Sequence, residues 1–312
     1  MNASNGNHNS HITPSPGLPA GIIGGILAIS WLILAFLSPD HFGGPGEYIV
    51  IGLILGTMFG QATLAATWTA LGPFHLVYRL PLSLAWLATL GAAFAFNIVF
   101  SGPPDTGFAI VLFMALFGQW VIVQLPLWGL RLWYGLDLRH VADPPRDGPA
   151  KRQFGIRQLM VLTAVVAVLL GSGRLLVMQV AANKELFGNV TDILIIAFLA
   201  VAGVITTLPL VLGLLLPRWS ALATGFALAF LGVFTWLEMD ILEVLTGATP
   251  GRGPHFGHIL SINAFQAGWI VLVLIIWRIS GYALRMPSPA LSVDGGGNDA
   301  PFMVVQGDDA KQ

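Results

Sequence analysis

Cysteine is missing from all 312 residues, which removes disulfides, thiolate metal ligands, cysteine nucleophiles and lipoprotein acylation together. Charge is nearly as scarce. Asp, Glu, Lys and Arg make up 9% of the chain, against roughly 25% in a soluble globular domain. Catalytic signatures are also lacking: there is no HExxH zinc helix, no GxSxG elbow, no P-loop and no Rossmann glycine pattern. The residues therefore ask for no cofactor, and nothing in them reads as an enzyme. The first 19 residues hold no Lys or Arg, so they lack the positive start of a secretory signal and read as a disordered tail. Residues 286–312 have a similar composition and receive the same reading.

What fills the space is apolar sequence. Hydrophobic residues reach 55% and fall in continuous runs of about 20, the length that crosses a bilayer as a helix. The expected fold is therefore an all-α, polytopic integral membrane protein. Eight runs qualify, near 20–37, 48–71, 80–100, 107–130, 157–178, 190–215, 219–242 and 259–282. They divide into two four-span halves, 20–130 and 157–285, joined by a basic, proline-rich linker at 131–156. Eight spans put both termini on one side. With that side cytoplasmic, eleven Lys and Arg fall in inner segments and only Arg174, Lys184 and Arg252 fall outside. The basic residues track span ends and form no soluble basic face, so the expected partner is the bilayer and not nucleic acid. The two halves share a pattern around Trp120, Trp128 and Tyr134 in the fourth span and Trp269, Trp277 and Tyr282 in the eighth. A parallel internal repeat would produce such a pattern.

The linker ends in a cationic run, Lys151, Arg152 and Arg157, that is expected to lie against anionic headgroups. It leads into Phe154-Gly-Ile-Arg157-Gln-Leu-Met-Val-Leu-Thr163, followed by Ala164 to Gly171. This stretch resembles a segment of the form F-[SG]-[IL]-R-x-L-[LM]-x-L-T found in uncharacterised multi-spanning membrane proteins of planctomycete bacteria. The more usual Ser after the Phe is Gly155 here. The resemblance covers about 25 residues; it implies a bacterial inner-membrane setting and brings no activity, ligand or catalytic residue with it.

Three groups of residues stand out as candidates. Glu238, Asp240 and Glu243 fall within six residues at the outer end of the seventh span, with Glu238 about 28 Å from Trp219 at 1.5 Å per residue. His255 and His258 follow on the same side. Together they read as an acidic outer rim, with a divalent-metal site or a cation vestibule as alternatives. The amides Gln61, Asn97, Gln119, Gln124, Asn263 and Gln266 lie inside spans, where lipid cannot satisfy them. They serve either as interhelical glue or as the lining of a polar path. Gly52, Gly56 and Gly60 form a ridge for close helix contact, within the chain or in a homo-oligomer. Three roles follow: a non-catalytic membrane component that assembles with partner proteins, a small-solute or ion permease, and, last, an intramembrane metal-dependent enzyme.

Overall fold

The computed structural model describes residues 24–26, 28–33, 45–101, 106–141, 160, 163, 167, 171, 174, 190–215, 220–246 and 256–285. The predicted tails, Lys151, Arg152, Arg157, half of the first predicted span and most of the fifth lie outside these residues. Six long helices stand among the described residues: α1 Pro45–Leu71, α2 Leu76–Ser101, α3 Thr106–Tyr134, α4 Val190–Leu215, α5 Ser220–Thr246 and α6 Phe256–Ile279. All six are long and apolar enough to cross a membrane. The protein is membrane-embedded and almost wholly helical, as its composition requires. Within the predicted first span, Gly24–Ile33 is a shorter apolar helix. Residues 160, 163, 167, 171 and 174 of the fifth are helical.

Local chemistry sets the helix ends. Pro45 opens α1, where a missing N–H costs nothing, and Glu47 meets the positive end of the helix dipole. Gly72 N–H closes the last turn on Trp68 O at 2.8 Å, and Pro73 prevents continuation. Helices α3 and α6 each end at a glycine in left-handed conformation, Gly135 at φ 66° and Gly281 at φ 84°. That turn sends the chain into two short strands, β1 Asp137–His140 and β2 Tyr282–Arg285. They pair antiparallel, with Leu138 opposite Leu284 and Asp137 opposite Arg285. Two expectations change here. Residues 137–140 were expected in a coiled linker, yet they are ordered by β2, and the last helix stops at Ile279 because Ser280 and Gly281 turn the chain.

Helices α1, α3, α4 and α6 form a ring in which α1 touches α6 and α3, and α4 touches the same two. Helix α2 packs outside α1 and α3; α5 packs outside α4 and α6. The two outer helices bury only 28% of their apolar stretches, compared with 78% for α1. Their outward faces carry Leu82 and Phe96 on α2, and Leu222, Phe226 and Val233 on α5. In the stack Phe226–Phe230–Phe234, successive ring centroids lie 6.4 and 5.5 Å apart.

The most extensive helix contact among the described residues is α1 on α6, along the glycine ridge. A Cβ at Gly52 would overlap Ser261, one at Gly56 would lie 2.6 Å from Ile262 O, and one at Gly60 would lie 3.1 Å from Trp269 Cβ. Contact this close lets Ser261 Oγ donate to Tyr48 O at 2.8 Å and Trp269 Nε1 donate to Thr57 Oγ1 at 2.6 Å. Dispersion and these bonds hold the pair, since lipid offers no hydrophobic gradient between helices. Gly56→Leu is therefore expected to lower the melting temperature in mild detergent, overpacking typically costing about 1–3 kcal/mol. Gly118→Ala, where a Cβ meets nothing within 4 Å, should leave it unchanged; equal melting of both variants would contradict the packing. The ribbon has its own test. Leu138→Cys with Leu284→Cys should oxidise to a disulfide in this cysteine-free chain, because facing Cβ atoms in a ladder lie roughly 4.5–5.5 Å apart. Two fully alkylated thiols in the intact mass would rule out the register.

Candidate functional site: a polar layer inside the bundle

An apolar helix bundle leaves polar side chains with no partner except one another and the backbone. In the ring of four helices they follow a recurring arrangement. On α3, Gln119 Nε2 donates to Phe59 O of α1 at 3.2 Å and to Thr63 Oγ1 at 2.9 Å. On α6, Gln266 Nε2 reaches Gly203 O of α4 at 3.4 Å, a carbonyl that also accepts from Thr206 and Thr207 hydroxyls. Twelve residues further along each donor helix comes an arginine. Arg131 donates to Ala70 O at 2.6 Å, and Arg278 donates to Leu214 O at 3.3 Å. Both acceptors belong to helix C-termini, whose last carbonyls lack intrahelical donors. Along the acceptor helices, Phe59 to Ala70 and Gly203 to Leu214 each span eleven residues. Both pairs of bonds thus obey the same two spacings.

The geometry dictates the amide orientations. Gln119 and Gln266 face carbonyls, so Nε2 must be the atom that bonds there, since Oε1 cannot donate. Gln61 is constrained likewise: its Nε2 donates to Ser30 Oγ at 2.8 Å, and that hydroxyl is already committed to Ile26 O. Gln61, Gln119 and Gln266 are fully buried, yet none of their Oε1 atoms has a hydrogen-bond partner among the described residues. A buried acceptor left unmatched costs roughly 1–3 kcal/mol. Gln119 and Gln266 meet beside Gly203, where an added Cβ would lie 3.4 Å from Gln119 Nε2 and 2.9 Å from Gln266 Nε2. Both lie within one helical turn of the middle of their apolar stretches, Ala109–Tyr134 and Gly257–Ile279.

The acidic group needs correction. Glu238 is completely buried between α5 and α6 and belongs to no rim. Asn263 Nδ2 donates to Glu238 Oε2 at 2.5 Å and to Thr235 Oγ1 at 3.0 Å, while Thr235 Oγ1 donates to Leu231 O at 2.8 Å. Glu238 Oε1 has no partner among the described residues. The acid sits about 6 Å from the middle of the stretch Thr224–Val244 at 1.5 Å per residue. Distance along the helix had suggested the interface, whereas the face presented to α6 decides burial. Asp240 and Glu243 are half-buried, and His258 packs its ring on Tyr48 at 4.0 Å between centroids. Among the described residues no three His, Asp or Glu side chains converge on a point that could hold a metal; His255 lies outside them.

The remaining candidates are simpler. Gln124 donates to Trp120 O of its own helix at 3.2 Å and reads as local satisfaction. The Asn97 side chain lies outside the described residues. The sequence reading overlooked Ser30, Thr63, Thr206, Thr207, Thr235 and Gly203, because hydroxyls and small residues in apolar helices give no periodic signal. A usable signal was present in Gln119 and Arg131, repeated with the same spacing as Gln266 and Arg278. The tryptophan pattern hides it, since it aligns the halves two residues out of step.

Asn263 carries the only hydrogen bond recorded for Glu238 among the described residues. Asn263→Leu is expected to destabilise the fold by about 1–3 kcal/mol, the penalty for an unmatched buried group. Adding Glu238→Leu should recover much of that loss, because a paired apolar replacement leaves nothing unsatisfied. Additive losses in the double variant would show that the two side chains act separately. No protein-family model matches the sequence, no curated protein matches it, and no solved structure matches the fold.

Proposed function

We propose that this protein is a permease for a small solute or ion, built from two parallel four-span halves with eight spans in all. The carrying observation is the pair of mid-span amides, Gln119 and Gln266, which meet beside Gly203 with their buried Oε1 atoms unpartnered among the described residues. Acceptors held in an apolar interior without donors favour an occupant that brings donors, such as a polyol, an amide or an ammonium group. The matched bonds of α3 on α1 and α6 on α4 support the duplication. So does the ribbon, in which Leu138 and Leu284 each follow a left-handed glycine by three residues and face each other. In this arrangement α1, α2 and α3 correspond to α4, α5 and α6, and the axis relating them runs along the membrane normal.

The setting we propose is a bacterial inner membrane with both termini cytoplasmic. Support comes from the ribbon end of the bundle, which gathers Arg79, Arg131, Arg139, Arg278 and Arg285, while Glu47, Asp240 and Glu243 lie at the other. The F-G-I-R segment at 154–157 is consistent with the planctomycete proteins it resembles. A second reading, a non-catalytic component that assembles with membrane partners, is favoured by the exposed apolar faces of α2 and α5.

Stopped-flow shrinkage of proteoliposomes in glycerol and in urea tests the permease reading. Saturable flux above empty vesicles is expected, and Gln119→Leu should abolish it while leaving the elution volume unchanged. Flux equal to that of empty vesicles for both solutes, with a stoichiometric membrane partner on mild purification, would favour the component reading instead.

A further inference from the structure

Glu238 and Asn263 stand apart from the amide pair, and no buried acid–amide pair matches them among the described residues of the first half. The position corresponding to Asn263 on α3 is Leu116, which is buried and apolar. An acid sealed at this depth is costly unless it is used. Oε2 is held by Asn263, whose position is set by a second bond to Thr235, and Oε1 is fully buried without a partner among the described residues. Hard metal ions gather about six oxygens. Here the neighbouring hydroxyl, Thr235 Oγ1, is already occupied as donor and acceptor, which leaves one open carboxylate oxygen. A single oxygen suits a proton. Asn263 also lies one turn before Gln266 on the same buried face of α6, so the acid adjoins the amide layer.

Resting on the permease reading above, we infer that Glu238 is a proton-carrying site that couples proton movement to passage through the amide layer. The step is balanced by itself. The carboxylate takes a proton from one aqueous side, forming one O–H bond, and returns it to the other. Among the described residues Asn263 is the only side chain bonded to the carboxyl. On α5, Asp240 and Glu243 follow toward the outer end; on α6, His258 precedes Asn263 by more than a turn and Arg278 lies at the inner end. Asp192 is near the start of α4, and Arg174 is exposed. Asn263 holds the carboxylate but has no titrating proton, so it is a positioning residue.

The test uses full-length protein in liposomes loaded with a pH-sensitive dye, with a potassium gradient and valinomycin driving protons inward. Glycerol and urea shrinkage is measured on the same preparations. Acidification well above empty vesicles is expected for the native chain. It should fall to the empty-vesicle rate in Glu238→Gln and persist in Glu238→Asp, with all three proteins eluting alike. Equal acidification by the native chain and Glu238→Gln would overturn the proton site. Solute flux without acidification would also overturn it and leave the permease reading standing. Acidification lost in Glu238→Gln but without flux of either solute would support the site and narrow the permeant to protons. If neither protons nor solutes move, both readings fall.

Discussion

Carbonyl groups and amides in an apolar bundle must find their partners on neighbouring helices, because lipid supplies none. That constraint organises the structure from the helix ends to the centre. Arg131 and Arg278 reach across to the terminal carbonyls of α1 and α4, which lack intrahelical donors, fixing the axial position of α3 and α6. Gln119 and Gln266 repeat the contact at mid-span, so each helix pair is held at two levels one fixed spacing apart. The glycine ridge of α1 serves the same end differently. By removing side-chain bulk it brings α6 close enough for Ser261 and Trp269 to reach their acceptors.

Much of this was legible in the residues. Run lengths near 20 and scarce charge identify a helical membrane protein, and six of the expected spans are present as helices within a few residues of their expected limits. The ridge at Gly52, Gly56 and Gly60 was visible as a spacing, but only coordinates name α6 as its partner. Glu238 shows where one-dimensional reading ends. Position along a helix gives depth, whereas burial depends on which neighbour covers that face, here Asn263 from 25 residues later. The ribbon was hidden for a similar reason. A four-residue strand has too little pattern to be seen, and its partner lies at the far end of the chain.

On the duplicated arrangement proposed above, function enters where the two halves differ. Their backbone-directed bonds match, which suits a scaffold. The second half adds an acid and its amide, which a scaffold does not need. On the reading proposed above, the matched amides hold the permeant and the unmatched acid supplies coupling. Stability and function then draw on the same side chains, since Gln119 and Gln266 brace the helices with one amide atom and leave the other for an occupant.

Substituted-cysteine accessibility is the most direct measurement, because the natural chain offers no background thiol. Thr63→Cys places a thiol beside Gln119, and Leu64→Cys places one a residue away in the apolar core, both fully buried. If the amide layer lies on a solute path, a small hydrophilic methanethiosulfonate added to the vesicles modifies Thr63→Cys and spares Leu64→Cys. Neither thiol reacting, although both proteins are folded and denatured controls label fully, would mean that the layer is static glue and the permease account is wrong.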